Sequence, residues 1–238
     1  MTHPTPAEAE FVRWGVSHGL AIMATLALPI LLGRWSRRDD SGGRGRAVGR
    51  VIAGLLLLTW IGSLWNGLRE RGGDWTQSLP LHLCDWAAAA VMIALITRRQ
   101  VAFELAYFWG LAGTVQGLLT PDLAHGFPHP RCVLFFAAHC GIVVGALFLV
   151  WGGGMRPRPG SVGRVLLWTN LYGTIALAAN LCLGTNYGYI LRKPLQPSLL
   201  DHLGPWPWYL LSLELLALLL FTFLDLPFRR GRRRPANA

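Results

Sequence analysis

The stretch FFAAHCGIVVGALFLVWGGG (135–154) contains no Asp, Glu, Lys or Arg and is apolar almost throughout. The hydrocarbon core of a bilayer is spanned by about 20 residues of α-helix, so this stretch predicts a transmembrane helix. Six other runs have the same character. The seven predicted spans are 15–33, 48–67, 80–97, 101–119, 132–151, 162–183 and 206–227. The sequence thus predicts an all-α, polytopic membrane helix bundle that forms a single domain over 1–238.

The composition agrees with a membrane protein and argues against a nucleic-acid-binding one. Hydrophobic residues make up 53% of the chain and charged residues only 14%, against about 25% charged residues in a soluble domain. The net charge of +10 could indicate nucleic acid, but the arginines lie between and after the apolar runs. No folded basic domain remains once the spans are removed. Membrane lipids are therefore the expected partners, and the inner (plasma) membrane is the expected location.

The basic residues also predict an orientation. Sixteen arginines lie in the segments 34–50, 98–100 and 152–164 and in the basic tail 228–238, whereas the opposite set of segments holds six Arg or Lys. The positive-inside rule places the first set in the cytoplasm. With seven helices, the N-terminus is then outside and the C-terminus is cytoplasmic.

Polar residues collect in the predicted outer half of the bundle, where they predict an outward-facing pocket. We expect His139 and Glu214 at its floor and the remaining polar groups at its rim. The rim residues are His82, Asp85, Gln116, Asn180 and Asn186. Arg131 and Arg192 in the outer loops could hold a lipid phosphate. The alternative is that these groups form interhelical hydrogen bonds only. Glu104 lies at the other end beside Arg98 and Arg99, which predicts an interfacial ion pair.

The segment LPLHLCDW (79–86) brings a histidine, a cysteine and an aspartate together at the start of the third span. In a regular helix His82 and Asp85 share a face, whereas Cys84 is rotated about 200° from His82. This geometry favours a His82–Asp85 pair, in which the carboxylate orients the imidazole, over a His–Cys dyad. A structural pair that fixes the helix end is the alternative.

His139 is the strongest candidate for chemistry, because it is a lone histidine in the middle of a span. A general acid or base would suit this position, with Asp85 or Glu214 as its orienting group. The alternative is a structural histidine bonded to Asn180 or to a backbone carbonyl. We expect no cofactor, although His82, Asp85 and His139, with His125 or His129, leave a zinc site open.

Four segments carry a family resemblance: LPLHLC (79–84), FFAAHCGIVVGALFLVWGGG (135–154), LGTNYGY (183–189) and GPWPWY (204–209). They resemble the YwaF-like bacterial integral membrane proteins and, more distantly, the eukaryotic transmembrane protein 164 family. That resemblance implies acyl transfer to lysophospholipids, with a cysteine nucleophile at the third helix and a histidine on the fifth. His139 matches that histidine and His82 matches the motif histidine. Leu81 stands where the family has its cysteine.

Together with the pocket residues, this resemblance implies a lipid acyltransferase or acyl hydrolase that uses His139 as general base. The other predicted catalytic residues are His82, Asp85 and Cys84. Because the cysteine of the eukaryotic pattern is replaced here, Cys84 or a water takes its role, or the reaction differs. Two alternatives stay open: a non-enzymatic binder or carrier of a small polar or amphipathic ligand, and a zinc-dependent membrane hydrolase.

Overall fold

The computed structural model of the protein describes residues 10–232, and this part of the chain is helical without β-strands. A single β-bridge joins Glu10 to His125. The helices are α1 (Val16–Arg37), α2 (Gly43–Glu70), α3 (Leu83–Thr97), α4 (Gln100–Phe108), α5 (Val115–Leu119), α6 (Pro130–Trp151), α7 (Ser161–Leu183) and α8 (Trp208–Arg232). A π-helical segment, Trp109–Thr114, joins α4 to α5. These three pieces form one rod, the α4–α5 rod, so the described chain contains seven helices.

The seven predicted helices are confirmed: four of their C-terminal bounds agree with the prediction, and the other bounds differ from it by at most five residues. Five of them are long and apolar enough to cross a membrane: α1, α2, α6, α7 and α8. Helix α3 has only 15 residues, and the α4–α5 rod is interrupted by its π-helical segment. The predicted basic tail begins inside α8, and its residues 233–238 lie outside the described part, as do residues 1–9 at the other end.

Helix α6 lies at the centre of the bundle, against α1, α2, α3 and the α4–α5 rod. Glycines permit these close contacts. A Cβ at Gly145 would lie 2.5 Å from Cγ1 of Val91 on α3, and a Cβ at Gly110 on the rod would lie 3.3 Å from Cβ of Ala146. Small residues let membrane helices approach closely, and packing rather than water exclusion holds such helices together.

The outer faces of α1, α2, α7 and α8 are apolar and exposed. In water, apolar surface of this extent would be an aggregation hazard, whereas a lipid bilayer covers it without cost. The protein is a multi-pass membrane protein. The exposed side chains on these faces include Leu20, Met23, Leu26, Leu55, Leu58, Ile61, Leu167, Leu181, Leu211, Leu215, Leu219 and Phe223.

The helices alternate in direction, which gives the bundle two distinct ends. The arginine-rich end carries the loops 38–42, 98–99 and 152–160, and the opposite end carries the long loops 71–82, 120–129 and 184–207. We call the latter the long-loop end.

At the arginine-rich end, Glu104 on α4 is 1% exposed and takes part in an ion-pair cluster. Its carboxylate accepts hydrogen bonds from Nε of Arg158 and Nη2 of Arg164, both at 3.0 Å. Glu104 therefore forms an ion pair as predicted, but the prediction that its partners are Arg98 and Arg99 is wrong. The partners come from the α6–α7 loop and α7, which lie more than fifty residues away in the chain. The Glu104 carboxylate raises the pKa of Arg158 through this hydrogen bond.

Candidate functional site

The long-loop end contains a cavity of about 380 Å³ between α2, α3 and α6. Its floor is formed by Leu56, Ala88 and Ile142, which lie deep in the bundle. Its mouth is polar. The polar or titratable residues that line the cavity are Thr59, Trp60, Ser63, Asn66, Arg71, Gln77, Ser78, His82, Cys84, Asp85, Asp122, Arg131 and His139. All four predicted catalytic residues therefore line one cavity, which we call the outer cavity.

His82 is the N-cap of α3 and not part of the helix. Its backbone is extended, with φ −76° and ψ 153°. Its N–H donates to Oδ2 of Asp85 at 2.9 Å, which satisfies one of the free amides at the start of the helix. Asp85 thus fixes the start of α3 through the backbone of His82, as the structural alternative has it, and within residues 10–232 no hydrogen bond joins its carboxylate to the His82 imidazole.

Cys84 also lines the outer cavity, so the prediction that it faces away from His82 is wrong. That prediction assumed a regular helix from residue 80, whereas α3 begins at Leu83. With His82 in an extended conformation, the helical rotation of about 200° between positions i and i+2 does not apply. The Cys84 thiol also lies close to Thr114, in the π-helical segment, without a hydrogen bond of acceptable geometry.

His139 lies on α6, two turns below the mouth of the cavity. Its Nδ1 is 2.9 Å from the carbonyl oxygen of Phe135, and its ring stacks on the Phe135 ring at 3.9 Å between centroids. A carbonyl only accepts hydrogen bonds, so Nδ1 carries the proton and Nε2 holds the free lone pair. Within residues 10–232 no group is hydrogen-bonded to Nε2. A backbone carbonyl was one of the partners expected for a purely structural histidine. This bond uses only Nδ1, so Nε2 of His139 stays available as a base.

The segment TNYGY (185–189) of the α7–α8 loop covers His82. The rings of Tyr187 and Tyr189 lie 5.2 and 5.7 Å from the His82 ring, centroid to centroid. The N–H of Gly188 donates weakly to His82 Nδ1, at 3.4 Å. Accordingly Nδ1 is the acceptor and Nε2 carries the proton, the reverse of His139. Gly188 has φ +66°, and a Cβ there would lie 2.6 Å from the Tyr172 hydroxyl, so glycine is required.

Tyrosine hydroxyl groups connect this covering segment to the chain that precedes α3 and to the loop between α5 and α6. The Tyr187 hydroxyl donates to the carbonyl of Thr76 and accepts from the N–H of Leu79 at 2.9 Å. The Tyr189 hydroxyl donates to Oδ2 of Asp122 at 3.1 Å. Burial raises the pKa of both phenols, so both stay protonated and act as donors. The segment is thereby fixed over the cavity wall.

Comparison with known proteins places the chain in a family. The family model of the TMEM164 family matches residues 13–225. The chain belongs to the TMEM164 family. It is also 32% identical, over 234 residues, to an uncharacterized protein of Treponema pallidum (strain Nichols), with 92% of this chain and 90% of that protein covered. No solved structure matches. The YwaF-like relationship remains a resemblance.

Several of the predicted pocket residues of this TMEM164-family chain lie elsewhere. Glu214 on α8 accepts a hydrogen bond from Nδ2 of Asn170 on α7, at 2.9 Å, and does not line the outer cavity. Gln116 on α5 and Arg192 in the α7–α8 loop are outside its lining as well. Arg131 does line the mouth, where its Nη2 lies 2.7 Å from Oε2 of Glu70.

The two predicted asparagines organise the α7–α8 loop. Asn180 is buried, and its Oδ1 accepts from the N–H of Tyr187 at 2.6 Å and from the hydroxyl of Thr185 at 2.8 Å. Asn186 accepts from the N–H of Leu191 and Arg192, at 3.1 and 3.0 Å. Both side chains shape the segment that covers His82 without lining the cavity.

The structure adds a polar face of α2 that the sequence analysis missed. Thr59, Ser63 and Asn66 recur at intervals of four and three residues and line the cavity. This helical spacing of three polar residues is the pattern in the sequence that could have predicted the polar face. Beside them the indole N–H of Trp60 is buried and approaches the Asp85 carboxyl, without a hydrogen bond of acceptable geometry.

A zinc site requires three or more protein ligands in one place. Residues 10–232 contain no group of three or more His, Cys, Asp or Glu side chains so arranged. His125 and His129 stack on each other at 4.4 Å in the loop before α6, and neither lines the outer cavity. The donor set that would complete a zinc site with His82, Asp85 and His139 does not assemble.

Proposed function

We propose that this TMEM164-family chain is an enzyme that transfers or hydrolyses an acyl chain of a membrane lipid, with His139 as general base. In this proposal all seven helices cross the inner (plasma) membrane, the N-terminus is outside and the C-terminus is cytoplasmic. The outer cavity then opens toward the outer leaflet, and lipids are its substrates.

The observation that carries the proposal is the state of His139. A general base needs an unprotonated nitrogen within reach of its substrate. The hydrogen bond from Nδ1 to Phe135 fixes the tautomer and leaves Nε2 free. The residue lines a cavity that has space for a substrate group and contains Cys84 and His82. A histidine that only held helices together would have both nitrogens in use, as His18 does with Trp14 and Leu118.

The chemistry uses these groups in named roles. His139 Nε2 accepts the proton of the attacking group while that group bonds to the carbonyl carbon of the acyl ester. The ester C–O bond then breaks, and the protonated imidazole returns the proton to the leaving oxygen. A lipid hydroxyl as attacking group gives transfer, and water gives hydrolysis. If the Cys84 thiol attacks, a thioester forms and a second hydroxyl or water resolves it. His82 Nε2–H is a donor for the developing oxyanion.

The lining of the cavity fits an amphipathic substrate. Its floor of Leu56, Ala88 and Ile142 suits an acyl chain, and its mouth contains Arg71 and Arg131. Guanidinium groups bind phosphate through charge-assisted hydrogen bonds. The Glu70 partner of Arg131 lies at the rim, where a phosphate can compete for the guanidinium. Polar head and apolar tail are thereby matched to opposite ends of one volume.

The test is lipid turnover by the purified protein in lipid nanodiscs, followed by mass spectrometry. Wild type is compared with His139→Ala, His139→Gln and Cys84→Ala, and His125→Ala and Cys182→Ala serve as matched controls outside the cavity. We expect loss of at least about 100-fold for both His139 variants, the contribution typical of a general base. Turnover that survives both replacements overturns the proposal.

The Cys84→Ala variant separates the two routes. Loss of turnover with retained helicity supports a thioester, whereas full turnover assigns the attack to a hydroxyl or water. If wild type turns over no lipid but retains a bound amphipathic molecule that His139→Gln loses, the chain is a binder or carrier and not an enzyme.

A further inference from the structure

A second cavity, of about 300 Å³, lies at the arginine-rich end. Its lining comes from the last turns of α1 and α8 and from the chain that leaves α6. The residues are Arg37, Val150, Trp151, Gly154, Met155, Arg156, Pro227 and Phe228. Helix α6 has the outer cavity at its first half and this one at its last turn, so the two are separated by most of its length. We call the second one the basal cavity.

Its two cationic residues, Arg37 and Arg156, are exposed and have no carboxylate partner within residues 10–232. The neighbouring arginines differ. Arg158 and Arg164 bind Glu104, and Arg229 binds Asp225 at 2.9 Å. Glu104 and Asp225 are thus committed to other arginines, and the Asp39 carboxylate accepts hydrogen bonds from Ser41 and from the backbone N–H of Arg44.

The backbone that carries Arg156 is held in place. Its carbonyl accepts a hydrogen bond from Nε2 of Gln100 at 2.7 Å, and Arg158, two residues later, is fixed by Glu104. At the other side, Gly33 of α1 approaches α6 so closely that a Cβ would lie 3.3 Å from the N atom of Gly152. The two guanidinium groups are therefore presented from fixed backbones on either side of one cavity.

The rest of the lining is apolar. Phe228 packs against Tyr107 with ring centroids 5.7 Å apart, Met155 is buried, and Trp151 is partly exposed. A soluble anion uses only the arginines, whereas a phospholipid uses both parts, the phosphate on the guanidinium groups and the chain on the aromatic and aliphatic wall. Basic pockets between membrane helices bind acidic lipid head groups in this way.

We propose that the basal cavity binds an anionic phospholipid of the membrane, with its phosphate between Arg37 and Arg156. The site is independent of the acyl chemistry proposed for the outer cavity, because it shares no residue with it and lies at the other end of the bundle. The bound lipid contacts α1, the α6–α7 loop and α8. Its phosphate offsets the repulsion between the two arginines and so holds these three elements together.

The test is native mass spectrometry of the full chain in neutral detergent with added phosphatidylglycerol, and with phosphatidylcholine as the zwitterionic comparison. Wild type is expected to retain phosphatidylglycerol in preference to phosphatidylcholine. The double variant Arg37→Gln/Arg156→Gln is expected to weaken retention about tenfold or more, through loss of charge-assisted hydrogen bonds. Arg34→Gln/Arg99→Gln removes the same charge from the same end without touching the cavity and should retain the lipid like wild type.

Three outcomes overturn the proposal. Equal loss in both double variants assigns retention to diffuse charge, and equal retention of the two lipids by wild type removes the role of the anion. The third concerns the source of the phosphate: if glycerol phosphate raises the melting temperature of the protein as much as phosphatidylglycerol does, the site is one for soluble phosphate. The double variant Arg37→Lys/Arg156→Lys keeps both positive charges and is the control for misfolding. It should retain more lipid than Arg37→Gln/Arg156→Gln.

Discussion

Gly117 on α5 lies directly against the imidazole of His139. A Cβ built at Gly117 would stand 3.1 Å from Cδ2 and 3.3 Å from Nε2 of that ring. The ring is held on its other side by stacking on Phe135. Its position is therefore set by a stack on one side and by the absence of a side chain on the other.

We predict that Gly117→Ala lowers lipid turnover while the protein stays folded. The added methyl group is closer to the ring than ordinary van der Waals contact allows, so the imidazole must shift by a few tenths of an ångström, and general-base catalysis depends on position. We expect a loss of about tenfold, and a larger one for Gly117→Val. Gly173→Ala on α7, where the new Cβ meets nothing within 4 Å, is the control. Equal turnover in Gly117→Ala and wild type would show that Nε2 is not the reacting atom.

Much of the fold could be predicted because apolar length is a local property. The seven helices follow from runs of about 20 residues, and the loop arginines mark one end of the bundle. The interruption of the α4–α5 rod was not predicted. Its sequence WGLAGT is apolar like its surroundings, and the π-helical turn depends on packing with neighbouring helices.

Predictions about the site depended on where each helix begins. His139 was predicted in mid-helix, and it lines the outer cavity together with His82 and Asp85. Cys84 was misplaced because a helix that starts three residues later changes the direction of every side chain in the first turn. For Glu104, the predicted ion-pair partners were arginines nearby in the chain. Nothing in the sequence shows that a loop more than fifty residues away folds back onto this carboxylate.

The covering segment gives a stability prediction. Tyr187→Phe removes a hydroxyl that bonds the carbonyl of Thr76 and the N–H of Leu79, and it leaves two partly buried backbone groups without this partner. We expect a loss of about 1–3 kcal/mol, measured as a fall in melting temperature in detergent. Tyr172→Phe removes a single bond, to the carbonyl of Leu81 at 3.1 Å, and should cost less. A larger effect at Tyr172 would contradict this role of Tyr187.

The buried carboxylate of Glu104, at the arginine-rich end, gives a second stability prediction. Glu104→Gln leaves two arginines without their ion partner, and we expect a loss of roughly 1–3 kcal/mol of stability. The value is below that for a fully buried pair because Arg158 and Arg164 are 47% and 37% exposed and can be hydrated. The control is Glu70→Gln, which breaks the exposed pair with Arg131 and should cost less than about 1 kcal/mol. Urea titration of both variants in the same detergent measures the difference, and equal losses would mean that burial of Glu104 adds nothing.

The proposed orientation can be tested on intact cells with a membrane-impermeant maleimide. Gln196→Cys places a thiol in the exposed part of the α7–α8 loop, and Ser41→Cys places one between α1 and α2, where the side chain is also exposed. Because the arginine-rich loops are expected in the cytoplasm, the reagent should label Gln196→Cys in intact cells and Ser41→Cys only after permeabilisation. Wild type, with its four natural cysteines, gives the background. Labelling of Ser41→Cys before permeabilisation would reverse the orientation and place the outer cavity on the cytoplasmic side.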